Sequence, residues 1–179
     1  MKNFLCFLVF FFSFVFSAYG LIVGQGGLGV VTDSCTGTIS ICTGAYDSAG
    51  VVSDTSYMEV AAQGAVRTIC KVTTKLKAAT QGGFHVEIWD AAGSAQIGGD
   101  SDSITVTVEA TFLEWSVVWS SDKPTVPDAD FRVYVIEEAG AVFTVYRTAD
   151  TCYGGTAYEF FQGGTGKNFD IYLVLYYDE

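Results

Sequence analysis

From Tyr57 onward the sequence alternates apolar and polar residues with a period of two, and this period constrains the fold more than any other feature. In VRTICKVTTKLKA, Cys70, Val72, Thr74, Leu76 and Ala78 fall on one face and Lys71, Thr73, Lys75 and Lys77 on the other. Successive side chains of a strand point to opposite sides of a sheet, so the first set faces a core and the second faces water. FHVEIWD repeats the rule, with Phe84, Val86 and Ile88 inward and His85, Glu87 and Trp89 outward. DSITVTVEA groups Ile104, Val106 and Val108, and TFLEWSVVWS groups Leu113, Trp115, Val117 and Trp119. FRVYVIEE, AVFTVYR and NFDIYLVLYYD continue the series, and no window carries a helical stripe.

Between these runs stand AATQGG, DAAGSAQIGGDSD, SSDKPTVPDAD, EEAG and QGGTGKN, rich in residues that turn a chain or tolerate positive φ. Pro124 and Pro127 both fall in one such loop, where their missing donors cost no ladder hydrogen bond. With a Thr/Ile segment near Ile39 to Tyr46 and an apolar start near Leu21 to Val31, about eight or nine strands are expected. That number predicts an all-β, two-sheet antiparallel sandwich of jelly-roll type. A length of 179 residues suits one such domain, and neither a repeat nor a linker divides it.

The N-terminal segment differs in kind. Lys2 is followed by an apolar run from Phe4 to Phe16 and small residues at Ser17 to Gly20, which is the pattern of a signal peptide over residues 1–20. The rival reading extends the run through Leu21, Ile22 and Val23 to about residue 24, long enough for a membrane anchor. Residues 21–34 then form an apolar, glycine-rich stretch, and the sandwich is expected over 35–179. Either reading exports the domain, and a membrane is a partner only if the segment is retained. Cys6 lies in the leader, which leaves Cys35, Cys42, Cys70 and Cys152, an even set that suits disulfides in an exported chain. Of the three pairings, Cys35 with Cys42 and Cys70 with Cys152 is preferred, because the first two would close a short loop.

A strand holding Cys70 and Val72, then VEIWDAAGSAQIGG, LEWSVVW, DADFRVYVIEE and the aromatic strand DIYLVLYYD follow in order. This succession, over Tyr57 to Asp178, resembles the jelly-roll domains of carbohydrate-binding modules and of cell-surface or viral β-sandwich proteins. The resemblance implies the fold and carries no binding site with it.

Charge narrows the function. A formal net charge of -11 would repel phosphate polymers, so nucleic acid is not an expected partner. His85 is the only histidine, which excludes multi-histidine metal sites and most nucleophile and base pairings. Glu87 and Asp90 are three apart and point to opposite faces of a regular strand, so they do not form the carboxylate pair of a glycosidase. Outward His85, Glu87 and Trp89 form a candidate ligand site, with a sugar stacking on Trp89 and bonding its two polar neighbours. No cofactor is expected: Asp100 and Asp102 in GGDSDS, and Asp122, Asp128 and Asp130 in SDKPTVPDAD, offer the hard oxygens that structural calcium takes, but neither loop has the EF-hand spacing and turn formation is the commoner role of such aspartates. Leu21, Ile22, Val23, Leu28 and Val30 are the candidate assembly residues, pairing within the sandwich or donated to a neighbouring copy in a filament. The expected function is therefore a non-catalytic, exported β-sandwich with a structural or adhesive role and self-association, with carbohydrate binding as the alternative.

Overall fold

The computed structural model describes residues 35–41, 48–51, 56–138, 140–148, 160–162, 165–166 and 170–178. The chain divides into two units, Met1–Thr32 and Asp33–Glu179, and all described residues belong to the second. Among them are fourteen strands and no helix: β1 (Gly37–Ser40), β2 (Ser48–Val51), β3 (Tyr57–Val60), β4 (Arg67–Thr80), β5 (Gly82–Asp90), β6 (Ile104–Val106), β7 (Leu113–Val118), β8 (Thr125–Val126), β9 (Phe131–Glu137), β10 (Val142–Thr148), β11 (Phe160–Gln162), β12 (Thr165–Gly166), β13 (Asp170–Ile171) and β14 (Leu173–Asp178).

The alternating run that opens with Arg67 becomes the 14-residue β4, on which the first sheet is built. The first half of β4 pairs with β14 on one edge and β7 on the other, so that Val72 stands between Leu175 and Val117. Its second half pairs with β10, with Leu76 opposite Val145. β1 lies outside β14, β2 and β13 join β10, and β8 joins the start of β4. The second sheet runs β12-β11-β3-β9-β5-β6. All strand pairs in both sheets are antiparallel.

The chain winds between the sheets from β4 to β5, β6 to β7 and β8 to β9, which is how the expected sandwich is realised. Gln81 alone separates β4 from β5, so the segment AATQGG, expected as a loop, is a bend between two nearly continuous strands. The connection from β9 to β10 passes beside it, and Glu138 N–H donates to Gly83 O at 2.9 Å. A Cβ at Gly82 would collide with Ala141, so this close passage requires glycine.

Most of the inward set reads as expected; the exceptions on β4 are Thr73, expected to face water but buried against Ser116, and Cys70, whose place in the core goes to Ile69 where the register with β14 shifts. Val72, Leu76, Phe84, Val86, Ile88, Phe131, Val133, Phe143 and Val145 are buried in one core fed by both sheets. Phe84 and Phe143 meet edge to face across it, with centroids 5.8 Å apart. Two expected faces break at their ends: Val108 is 60% exposed and Leu113 40% exposed. Both lie where their strands run out, with Val108 past the end of β6 and Leu113 at the first residue of β7. The strand total exceeds eight or nine because short strands form inside segments expected as loops, β8 in SSDKPTVPDAD and β12 in QGGTGKN, and because one long run changes partners. NFDIYLVLYYD is cut at Tyr172, whose N–H turns to Tyr146 O, and divides into β13 against β10 and β14 against β4. β14 is covered on both faces, with Leu173 and Leu175 in the core and Val174, 7% exposed, between Tyr172 and Tyr176 outside.

The disulfide differs from the preferred pairing: Cys35 is bonded to Cys70, with Cα atoms 6.3 Å apart. The cause is register. Gly37 lies opposite Tyr177 and Tyr177 opposite Ile69, so the residues just before β1 arrive beside Cys70. Sequence proximity favoured the short loop, whereas the ladder β1–β14–β4 fixes the neighbour. Cys42 and Cys152 lie outside the described residues, as do Leu21, Ile22, Val23, Leu28 and Val30.

Candidate functional site

The outward residues of β5 do lie together on the outer face of the second sheet. Trp89 Nε1 donates to Glu87 Oε2 at 2.7 Å, and the other oxygen of that carboxylate lies 3.4 Å from His85 Nε2. His85 Nδ1 is 3.6 Å from Glu138 Oε1. His85 and Glu87 side chains are 18% and 21% exposed, so the pair is half-buried yet reachable from solvent.

Register extends this row across the sheet. Glu87 stands opposite Tyr134, which stands opposite Tyr57, and Trp89 stands opposite Arg132, which stands opposite Glu59. The rings therefore cluster: Trp89 meets Tyr134 edge to face at 6.1 Å, and Tyr57 tilts against Tyr134 at 4.9 Å. Arg132 lies over the Tyr57 ring at 4.4 Å, and its Nε is 3.5 Å from Glu59 Oε1. Burial opposes the charge of Arg132, but its hydrogen bond with Tyr134 and the nearby Tyr57 and Glu59 outweigh this and hold its pKa above the usual value. Burial likewise pushes the Tyr57 hydroxyl up, with Arg132 pulling the other way. This is a face of fixed rings interleaved with fixed charges.

The segment after β5 folds back along the part of that strand's edge that β6 leaves unpaired, beyond Phe84. Asp90 starts it, taking Ser94 N–H at 2.7 Å and Ser94 Oγ–H at 2.6 Å, bonds that lower its pKa. Gly93 follows at φ 67°, where a Cβ would also strike the Arg132 guanidinium. Ile97 N–H then donates to Ile88 O, and Ser101 N–H to Val86 O, while the buried Ser101 Oγ accepts Val86 N–H at 2.8 Å. This return delivers Asp100 to the β5 face, where Gln96 Nε2 donates to it at 2.7 Å. One ligand-capable atom each from His85, Glu87 and Asp100 lies within 4.8 Å of the others.

The aspartates named from sequence thus separate. Asp100 joins the β5 face, whereas Asp102 accepts Ser120 Oγ–H at 2.8 Å. Asp128 accepts Gly64 N–H at 2.7 Å and Asp130 accepts Ala62 N–H at 3.0 Å, so both pin the 61–64 loop. Asp122 sits at φ 49° and its carbonyl accepts Gly99 N–H, which places it as a turn residue. Asp90 is engaged with Ser94 and stands apart from Glu87, in keeping with their opposite facing. Arg132, Tyr134, Tyr57 and Glu59 are not among the residues expected at the site; the alternation of FRVYVIEE marks the first two as outward, but only strand order puts them beside β5. Glu138 and Gln96 had no sequence signal, because each arrives from beyond a strand end.

No family model matches the chain, and no curated protein matches it.

Proposed function

We propose that this is an exported, non-catalytic adhesive protein that attaches to carbohydrate through the outer face of β3, β9 and β5. One observation carries the reading: the Tyr57–Tyr134–Trp89 ring cluster lies beside Glu87, His85 and Asp100 on a half-exposed sheet face. Aromatic rings take the apolar faces of sugar rings, while carboxylate and imidazole groups fix hydroxyls around them. The polar groups are held by one another, so little ordering is required on binding, which favours affinity. The leader pattern of residues 1–20 and the Cys35–Cys70 disulfide support export, since disulfides persist in oxidising compartments.

A glycan array probed with the wild-type chain and with Trp89→Ala tests this. Binding to a defined glycan class that falls at least about tenfold in the variant, equivalent to about 1.4 kcal/mol, is expected. An array on which wild type binds nothing sinks the proposal and returns the self-assembling filament reading to first place. The filament reading has its own test, electron microscopy of the exported material.

A further inference from the structure

We propose that His85, Glu87 and Asp100 form a binding site for a divalent first-row transition ion, with zinc as the best-matched member. The inference goes beyond sugar binding and does not depend on it.

The donor set is one imidazole and two carboxylates. Calcium takes oxygen ligands, whereas imidazole nitrogen with carboxylate suits zinc and its neighbours, so the histidine selects the class of ion. Bonds of about 2.0–2.2 Å to a tetrahedral zinc place any two ligand atoms about 3.4 Å apart. His85 Nε2 and Glu87 Oε1 already stand at 3.4 Å. An oxygen of the exposed Asp100 completes the trio, with one ligand-capable atom of each residue within 4.8 Å of the others. Three protein ligands leave a fourth position for water or a ligand hydroxyl.

The surroundings fit as well. Each of the three side chains is held by a neighbour: His85 Nδ1 faces Glu138, Glu87 Oε2 holds Trp89 Nε1–H, and Asp100 Oδ1 holds Gln96. Such outer contacts orient ligands and set the imidazole tautomer, and a carboxylate behind a metal-bound histidine is a recurrent arrangement. The place of Glu138 depends on Gly83, because a Cβ there would collide with its carboxylate. Three carboxylates, Glu87, Asp100 and Glu138, converge on one imidazole, and among the described residues the ion-pair partner shared by Glu87 and Glu138 is His85. Like charges so placed repel, and a dication between them relieves this. A second trio, Cys35, Cys70 and Asp178, also comes together, but its sulfurs are bonded to each other.

The test is titration of zinc chloride into the oxidised full-length chain, without glycan, by calorimetry and by tryptophan fluorescence. One ion per chain is expected, with a fluorescence change because Trp89 is bonded to a ligand carboxylate. His85→Gln and Asp100→Asn should each weaken binding at least about tenfold, and Gln96→Ala less, while Asp128→Asn leaves it unchanged. All four positions are outside the core, so circular dichroism of the variants should match wild type. Absence of saturable binding, binding unaltered in both His85→Gln and Asp100→Asn, or tighter binding of calcium than of zinc overturns the proposal. Zinc binding on a chain that binds no glycan would leave it standing.

Discussion

Removing Cys35 isolates the contribution of the disulfide. The bond joins residues 35 apart in sequence, and cross-linking a loop of that length removes chain entropy worth about 3.8 kcal/mol from the unfolded state. Cys35→Ala is the cleaner substitution, because Cys35 is half-buried outside β1 whereas Cys70 is 4% exposed and would leave a cavity. The Cys70 thiol left behind packs as a small apolar group. Against a typical total of roughly 5–15 kcal/mol this loss is large, and it should lower Tm by roughly 10 °C. Urea unfolding of wild type and variant measures it, with the slope unchanged if both remain two-state. Peptide mapping of the unreduced wild type fixes the pairing on the same sample. A loss below about 1 kcal/mol would refute the loop-entropy figure, and a peptide joining Cys35 to Cys42 would refute the argument that the β1–β14–β4 register selects the partner.

Four further outcomes are expected. Phe84→Ala, at a fully buried side chain that contacts Phe143 across the core, should cost about 3–5 kcal/mol by urea unfolding. Ser101→Ala leaves the buried Val86 N–H without its Oγ acceptor; a loss of about 1–3 kcal/mol is expected, and zinc affinity should fall with it because Ser101 anchors Asp100. Gly98→Ala combines φ 71° with a Cβ 2.7 Å from Pro124 Cα, backbone that cannot rotate away, so a loss of more than about 1 kcal/mol should appear as a lower Tm. Tyr57 and Tyr172 have pKa values raised above 10.0, chiefly by burial, and Glu114 adds to the shift at Tyr172. A raised pKa contributes stability below the unfolded value that is lost as pH rises through the folded one, so stability should decline above about pH 10. Tyrosinate absorbance followed with thermal unfolding checks this, and Tyr57→Phe should flatten the decline.

The fold was legible because its rule is local. The alternation in VRTICKVTTKLKA and FHVEIWD marks Val72, Leu76, Phe84, Val86 and Ile88 as core without any knowledge of partners, and all five are fully buried. What failed depends on pairing. The partner of Cys35, the partner exchange at Tyr172 and the bend at Gln81 are decided by which strand lies alongside, and no spacing in the chain encodes that. The site divides the same way. His85, Glu87 and Trp89 share a face by period alone, whereas Asp100 reaches them through a fold-back of the chain held by Ser101, and Glu138 through the connection from β9 to β10. A reading of one strand recovers half of such a site, since the other half arrives from β9 and from loops.

The two outer faces also differ in how their charges are settled, and this argues for placing function on one of them. On the first sheet Lys71 lies over Tyr176 at 4.0 Å, Lys75 sits 4.9 Å from both Tyr146 and Tyr172, and Lys77 lies over Phe112 at 5.1 Å. Tyr172 in turn donates to Glu114 at 3.0 Å, and Lys75 pairs with the same carboxylate at 3.5 Å. Each of these three lysines has a ring beneath it, which stabilises the sheet by about 0.5–1 kcal/mol per contact at exposed sites. On the second sheet the balance is reversed, with carboxylates of Glu87, Asp100 and Glu138 directed at a single imidazole beside Trp89. A set of charges that does not neutralise itself is suited to an external group, and the rings next to it set what else that group can bring.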